Sequence, residues 1–75
     1  MPMVYANVYL PKRRSAQPLY SAEPIDAEHQ PQGIAMLRQR AYYEQNAAEV
    51  DYDVYLTENA ANDAAIARLE LSLHG

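Results

Sequence analysis

Apolar and polar positions alternate from Met3 to Leu10, with Val4, Ala6, Val8 and Leu10 on one side of an extended chain and Met3, Tyr5, Asn7 and Tyr9 on the other. A period of two is that of a half-buried strand, so this stretch reads as a strand or an extended arm. All five prolines (Pro2, Pro11, Pro18, Pro24 and Pro31) fall in the first 31 residues. Each fixes its own φ and pushes the preceding residue out of the helical region, which excludes a long helix there. Pro11 to Pro31 therefore reads as an irregular or polyproline-like segment that lies on the chain's own helices or on a partner.

Beyond Gly33 proline disappears and Ala, Leu, Arg, Gln and Glu take over, a composition that helices favour. The spacing predicts a helix from about Gln32 to Glu49. Ile34, Leu37, Ala41 and Ala48 share one face, and Met36, Tyr43, Ala47 and Val50 form a second stripe nearly opposite, as if the helix had two neighbours. A second helix is predicted from an N-cap at Thr57 toward His74, with Ala61, Ala65, Ile66, Leu69 and Leu73 as its apolar face and Gly75 available to end it. Leu69, Leu71 and Leu73 also alternate with polar residues, so the last turns carry a competing strand signal.

Residues 50–56 carry two conflicting signals. Val4 to Leu10 and Val50 to Leu56 are identical at four of seven positions, as two similar pairing strands would be. Tyr43, Ala47, Val50, Val54, Thr57 and Ala61 keep an unbroken spacing of four and three, which a continuous helix explains. The Ala-rich flanks favour the helix. The expected architecture is thus mainly α, with an extended Pro-rich arm over residues 1–31 and two or three short helices over residues 32–75, all in a single small domain. The alternative is a small α+β fold with strands at 3–10 and 50–56.

Composition makes the core thin: fourteen residues are Leu, Ile or Val, thirteen are Ala, and Phe and Trp are absent. Chains of this size bury a smaller share of their surface than larger domains, so a partner is an expected source of stability. With no cysteine there is neither a disulfide framework nor a thiolate zinc site, which fits a reducing compartment. No stretch has the apolar length of a membrane span and no signal-peptide pattern opens the chain, so a soluble, cytoplasmic protein without membrane contact is expected. The net charge of −4 divides into +2 over residues 1–43 and −6 over residues 44–75.

Little in the chain points to catalysis. No nucleophile elbow joins Ser15, Ser21, Ser72 or Thr57 to His29 or His74, and the two glycines, Gly33 and Gly75, form no phosphate loop. Asp51 and Asp53 with Glu49 lack the ligand number and the glycine of a calcium loop, and Glu28-His29 lacks a partner motif for a metal. No enzyme activity, cofactor or metal is expected. Seven tyrosines exceed what a thin core covers, and tyrosine is enriched at protein interfaces.

The expected function is a small non-catalytic regulator, an inhibitor or adaptor docking on a larger protein complex, comparable in size to phage-type regulators of host RNA polymerase or of defence nucleases. The candidate partner-binding residues are Tyr5, Tyr9, the basic turn Lys12, Arg13 and Arg14, and the helix side bearing Arg38, Arg40 and Tyr42. Nucleic acid is expected only as a secondary contact through Lys12, Arg13 and Arg14, since a chain of pI near 4.9 binds nucleic acid weakly by itself. Two other readings stand beside this one: a structural or cement subunit of a multi-subunit assembly, and an acidic nucleic-acid mimic.

Overall fold

The computed structural model of the chain describes residues 2–74, with side chains described through Leu71. Strands β1 (Met3–Tyr9), β2 (Tyr20–Asp26) and β3 (Asp51–Tyr55) and helices α1 (Gln30–Gln45) and α2 (Glu58–His74) follow in the order β1-β2-α1-β3-α2, with a short 3-10 turn (Ala27–His29) leading into α1. The strands form one sheet of order β2-β1-β3, antiparallel throughout. The mainly α expectation is therefore overturned, and the α+β alternative with strands near 3–10 and 50–56 is the fold.

Three local features explain the difference. First, the prolines are compatible with strands. Pro24 lies in β2, an outer strand whose free edge tolerates a residue without an N–H. Pro11 and Pro18 fall in the connection from β1 to β2, and Pro31 sits in the first turn of α1, where its missing donor costs nothing. Second, α1 ends at Gln45 because Asn46 turns left-handed (φ 53°, ψ 35°) and its N–H, like that of Ala47, returns to the Ala41 carbonyl. Asparagine is among the few residues that adopt this conformation readily. The helical spacing through Val50 and Val54 is thereby broken. Third, β3 finds a partner in β1, with Tyr5 opposite Tyr55, Asn7 opposite Asp53 and Tyr9 opposite Asp51. The likeness of the two segments reflects neighbouring strands, and the first 31 residues supply two of the three strands.

The helices cover opposite faces of the sheet. Val4, Ala6 and Val8 of β1, with Tyr20 and Ile25 of β2, pack against Ile34, Leu37 and Ala41 of α1. On the other face Asn7 and Tyr9 lie beneath α2, which buries Ala61 and Ala65. A strand covered on both sides loses the half-buried character its alternation suggested, and Asn7 and Tyr9 are both 0% exposed. Of the second stripe expected on α1, Met36 and Tyr43 face solvent, while Ala47 and Val50 fall beyond the end of the helix, where Ala47 is buried in the core and Val50 packs against it.

Asn7 joins three elements. Its Nδ2 donates to the Ala61 carbonyl of α2 at 2.7 Å, and its Oδ1 accepts from the Ala22 N–H of β2 at 2.9 Å. Ala22 belongs to a β-bulge, where Ser21 and Ala22 together oppose Asn7 between the pairs Ala6–Glu23 and Val8–Tyr20. Its φ of 53° is costly for a residue with a Cβ. The bond to Asn7 satisfies the N–H that the bulge takes out of the ladder. Tyr9 is the contrasting case: its ring is buried, yet its hydroxyl meets no hydrogen-bond partner among the described residues. Burial raises its phenol above the ordinary 10.0.

Replacing a buried, paired group and replacing a buried, unpaired one should have opposite consequences. Asn7→Ala strands the Ala22 N–H and is expected to cost about 2–3 kcal/mol. Tyr9→Phe removes only an unmatched hydroxyl and should be neutral or stabilising by about 1 kcal/mol. Urea unfolding of the two variants measures both. Gly33 in α1 gives a further sign test, because a Cβ there would overlap Ile25 Cγ2 and lie 3.3 Å from Ile25 Cβ and Cγ1. Gly33→Ala, which helix propensity alone would favour by about 1 kcal/mol, is instead expected to destabilise by about 1–3 kcal/mol through overpacking against a stiff β-branched side chain.

Candidate interaction surface

α2 runs back along the sheet toward the β1–β2 connection, and its burial ends at Ala65. Ile66, Leu69 and Leu71 beyond that point are 55%, 37% and 72% exposed. Where this half of the helix meets the connection, a groove of about 680 Å³ opens between Pro18 and Leu19 on one side and Ala65, Ile66 and Leu69 on the other, with Gln17, Ser21 and Asn62 as its polar rim. Ser21 Oγ and Asn62 Oδ1 lie 3.2 Å apart across it. The groove forms because alanine, at Ala61 and Ala65, seats α2 close to the sheet, while the larger residues of the next turns pass its end. Leu56, at the turn before α2, is 82% exposed.

The basic turn is held on the neighbouring side of α2. Arg14 reaches β3 with Nε to Asp53 Oδ2 at 2.8 Å, Nη1 to Asp51 Oδ2 at 3.1 Å, and Nη2 to both Asp53 Oδ1 and the Tyr52 carbonyl at 3.2 Å. The Lys12 backbone N–H also donates to Asp51 Oδ2, at 2.8 Å, from a left-handed residue with φ 61°. The Asp53 carboxylate beside Arg14 strengthens the hold of its guanidinium on the proton, raising its pKa. The clamp therefore engages Asp51 and Asp53, two carboxylates of the acidic C-terminal half, within the chain. Arg68 approaches the same Asp53 carboxylate from α2, at 3.9 Å.

The remaining predicted residues are dispersed. Arg40 bridges α1 to β2 through Glu23 at 3.1 Å and lies 4.2 Å above the Tyr20 ring, while its Nε meets Glu44 at 3.0 Å. The Tyr20 hydroxyl donates to the same Glu44 oxygen at 2.9 Å, and this bond and Arg40 hold the Glu44 carboxyl below its ordinary value. Arg38 sits 5.7 Å above the Tyr52 ring on the other flank of α1. Tyr42 is exposed and meets Tyr43 edge to face, on the solvent side of α1. Tyr5 is half-buried beside Tyr55, and Tyr9 has no surface to offer. Lys12 and Arg13 are exposed.

The structure thus unites Lys12 and Arg14 with Arg68, places Arg38 beside Pro11 and Asp51, engages Arg40 with Glu23 and Glu44, and adds a groove that none of the predicted contact residues lines. Its signal was present in the predicted apolar face of α2, which contains Ile66 and Leu69. Asp26, Glu28 and His29 bring potential metal-ligating atoms within 4.8 Å of one another. Their visible role is local: Asp26 accepts from the Glu28 N–H and from His29 Nδ1, each at 2.9 Å, and the His29 bond, ahead of the Glu28 one, lowers its pKa. No described helix is long and apolar enough to cross a membrane. Compared with known proteins, the chain matches no family model, no curated protein and no solved structure.

The Arg14 clamp joins the β1–β2 connection to β3 through partly exposed ion pairs, which salt screens. Arg14→Ala is expected to lower Tm in dilute buffer, and the gap to the parent protein should narrow as sodium chloride is added. Thermal melts over a salt series measure it.

Proposed function

We propose that the chain is a non-catalytic regulator of the inhibitor or adaptor kind that docks on a larger protein complex through the groove between α2 and the β1–β2 connection. The observation that supports this reading is the exposure of Ile66 and Leu69 beside Pro18 and Leu19, in a domain whose core is otherwise built largely from valine, alanine and two tyrosines. Apolar patches rimmed by polar residues mark protein contacts, and an apolar helix face in a groove offers anchors at spacings of three and four. Asp63 and Glu70 follow the exposed flank of α2 next to this strip, which favours a partner surface carrying positive charge.

The groove is tested by affinity capture from lysate of the cell that makes the protein, with the parent chain and an Ile66→Asp/Leu69→Asp variant compared side by side. Both substituted positions are already open to water, so the circular dichroism spectrum should be retained. The captured complex should be lost from the variant and retained by Tyr42→Ala. Equal capture by parent and double variant would overturn the groove as the docking surface.

A further inference from the structure

Four of the six basic side chains of this acidic protein belong to one corner of the fold. Lys12, Arg13 and Arg14 come from a single turn, and Arg68 arrives from α2, more than fifty residues later. Lys12, Arg14 and Arg68 line a concavity of about 460 Å³ together with Ser15 and Leu71. Asp51 and Asp53 are the carboxylates that the clamp holds. Four positive charges against two negative leave this corner at +2, and the rest of the chain at −6.

The charges inside the corner are unequally committed. Arg14 spends its Nε and both Nη groups on β3, so its part is to anchor the turn and fix the two aspartates. Among the described residues, the Lys12 ammonium makes no ion pair, and Arg68 has only the 3.9 Å approach to Asp53, too long for a hydrogen bond. Lys12, Arg68 and Ser15 thus line a hollow that Leu71 also borders.

We propose that this hollow binds a single phosphate monoester group, with Arg68 and Lys12 as its charged donors and the Ser15 hydroxyl as a neutral one. A guanidinium offers paired donors to phosphate oxygens, an ammonium adds a point charge, and both gain from a dianionic ligand. The electrostatics favour one group over a polyanion. A nucleic-acid strand that placed one phosphate here would carry its others along a chain whose remaining residues sum to −6, which disfavours them. A free phosphomonoester and a phosphorylated side chain of a partner protein share the recognised chemistry, and Leu71 offers apolar contact to whatever carries it. Neither Ile66 nor Leu69 lines the hollow, so the site stands or falls independently of the groove.

The test is a titration of the full chain followed by amide NMR, with inorganic phosphate, O-phosphoserine, a phosphoserine peptide and its unphosphorylated form, each against sodium chloride at matched ionic strength. Shifts confined to residues 12–15 and 66–71 are expected with the phosphorylated probes alone. A peptide affinity above that of O-phosphoserine would assign the site to a protein-borne phosphate, and equal affinities to a free monoester. Arg68→Ala, which breaks no hydrogen bond seen within the fold, should weaken binding about tenfold, as loss of a charge-assisted bond does, while Arg38→Ala leaves it unchanged. Identical shifts in chloride, shifts spread over the whole surface, an unaltered Arg68→Ala affinity, or tighter binding of a single-stranded oligonucleotide would each overturn the proposal.

Discussion

The amide of Asn7 is the contact on which the arrangement of the other elements turns. It sits on the central strand with no exposure to water, and its two polar atoms are consumed by different elements: the bulge of β2 through Ala22 and the second turn of α2 through Ala61. A buried amide left unmatched is costly, so the register of β2 and the seating of α2 are set together. A one-residue slip of either would leave Asn7 without a donor or an acceptor. The aliphatic face of the sheet has no such device. Its buried contacts with α1 are apolar, with the Tyr20–Glu44 hydrogen bond and the Arg40–Glu23 ion pair tying β2 to α1 at the rim, and Gly33, pressed against Ile25, provides the close fit.

A three-stranded sheet has two open edges, and this one treats them differently. On β2, Pro24 and the bulge at Ala22 spoil the ladder as a template for further pairing. On β3, Arg14 lies across Asp51 and Asp53 and takes up the Tyr52 carbonyl. The same guanidinium that closes the edge also pins the connection from which Lys12 and Arg13 project. Electrostatics in this corner therefore serves the fold first, and what remains, chiefly Lys12 and Arg68, is available for contacts beyond the chain.

The apolar side chains follow a comparable division. α2 spends alanines on the sheet and presents its larger residues, Ile66, Leu69 and Leu71, beyond the point where burial ends. Small residues permit close approach but bury little area, so the domain gives up hydrophobic stabilisation that the larger side chains would have supplied. An interface that covers those side chains restores part of it. This links the marginal core to the reading of the protein as a module that works while bound.

Some of the structure was legible from local chemistry. The alternation of Met3 to Leu10 pointed to a strand or an extended arm, Thr57 specified the start of α2, where its Oγ1 accepts from the Ala60 N–H at 3.1 Å, and the composition around and after Gly33 pointed to a helix, which runs from Gln30 to Gln45. These features depend on neighbours a few residues apart, which a sequence displays directly. What only tertiary structure decided involved pairings across the chain. Residues 51–55 satisfied two periodicities, and the hydrogen-bonding edge of β1, together with a left-handed Asn46, selected the strand. Tyr20 to Asp26 carried a proline that excludes an inner strand but not an outer one, a distinction that exists only once a sheet has edges. The groove beside Ile66 and Leu69 was hidden because an apolar helix face looks the same in a sequence whether or not the sheet extends far enough to cover it. Arg68 joined the basic turn, and Arg38 and Arg40 parted to opposite flanks of α1, for the same reason: charge is written along the chain, but its neighbours are assigned by the fold.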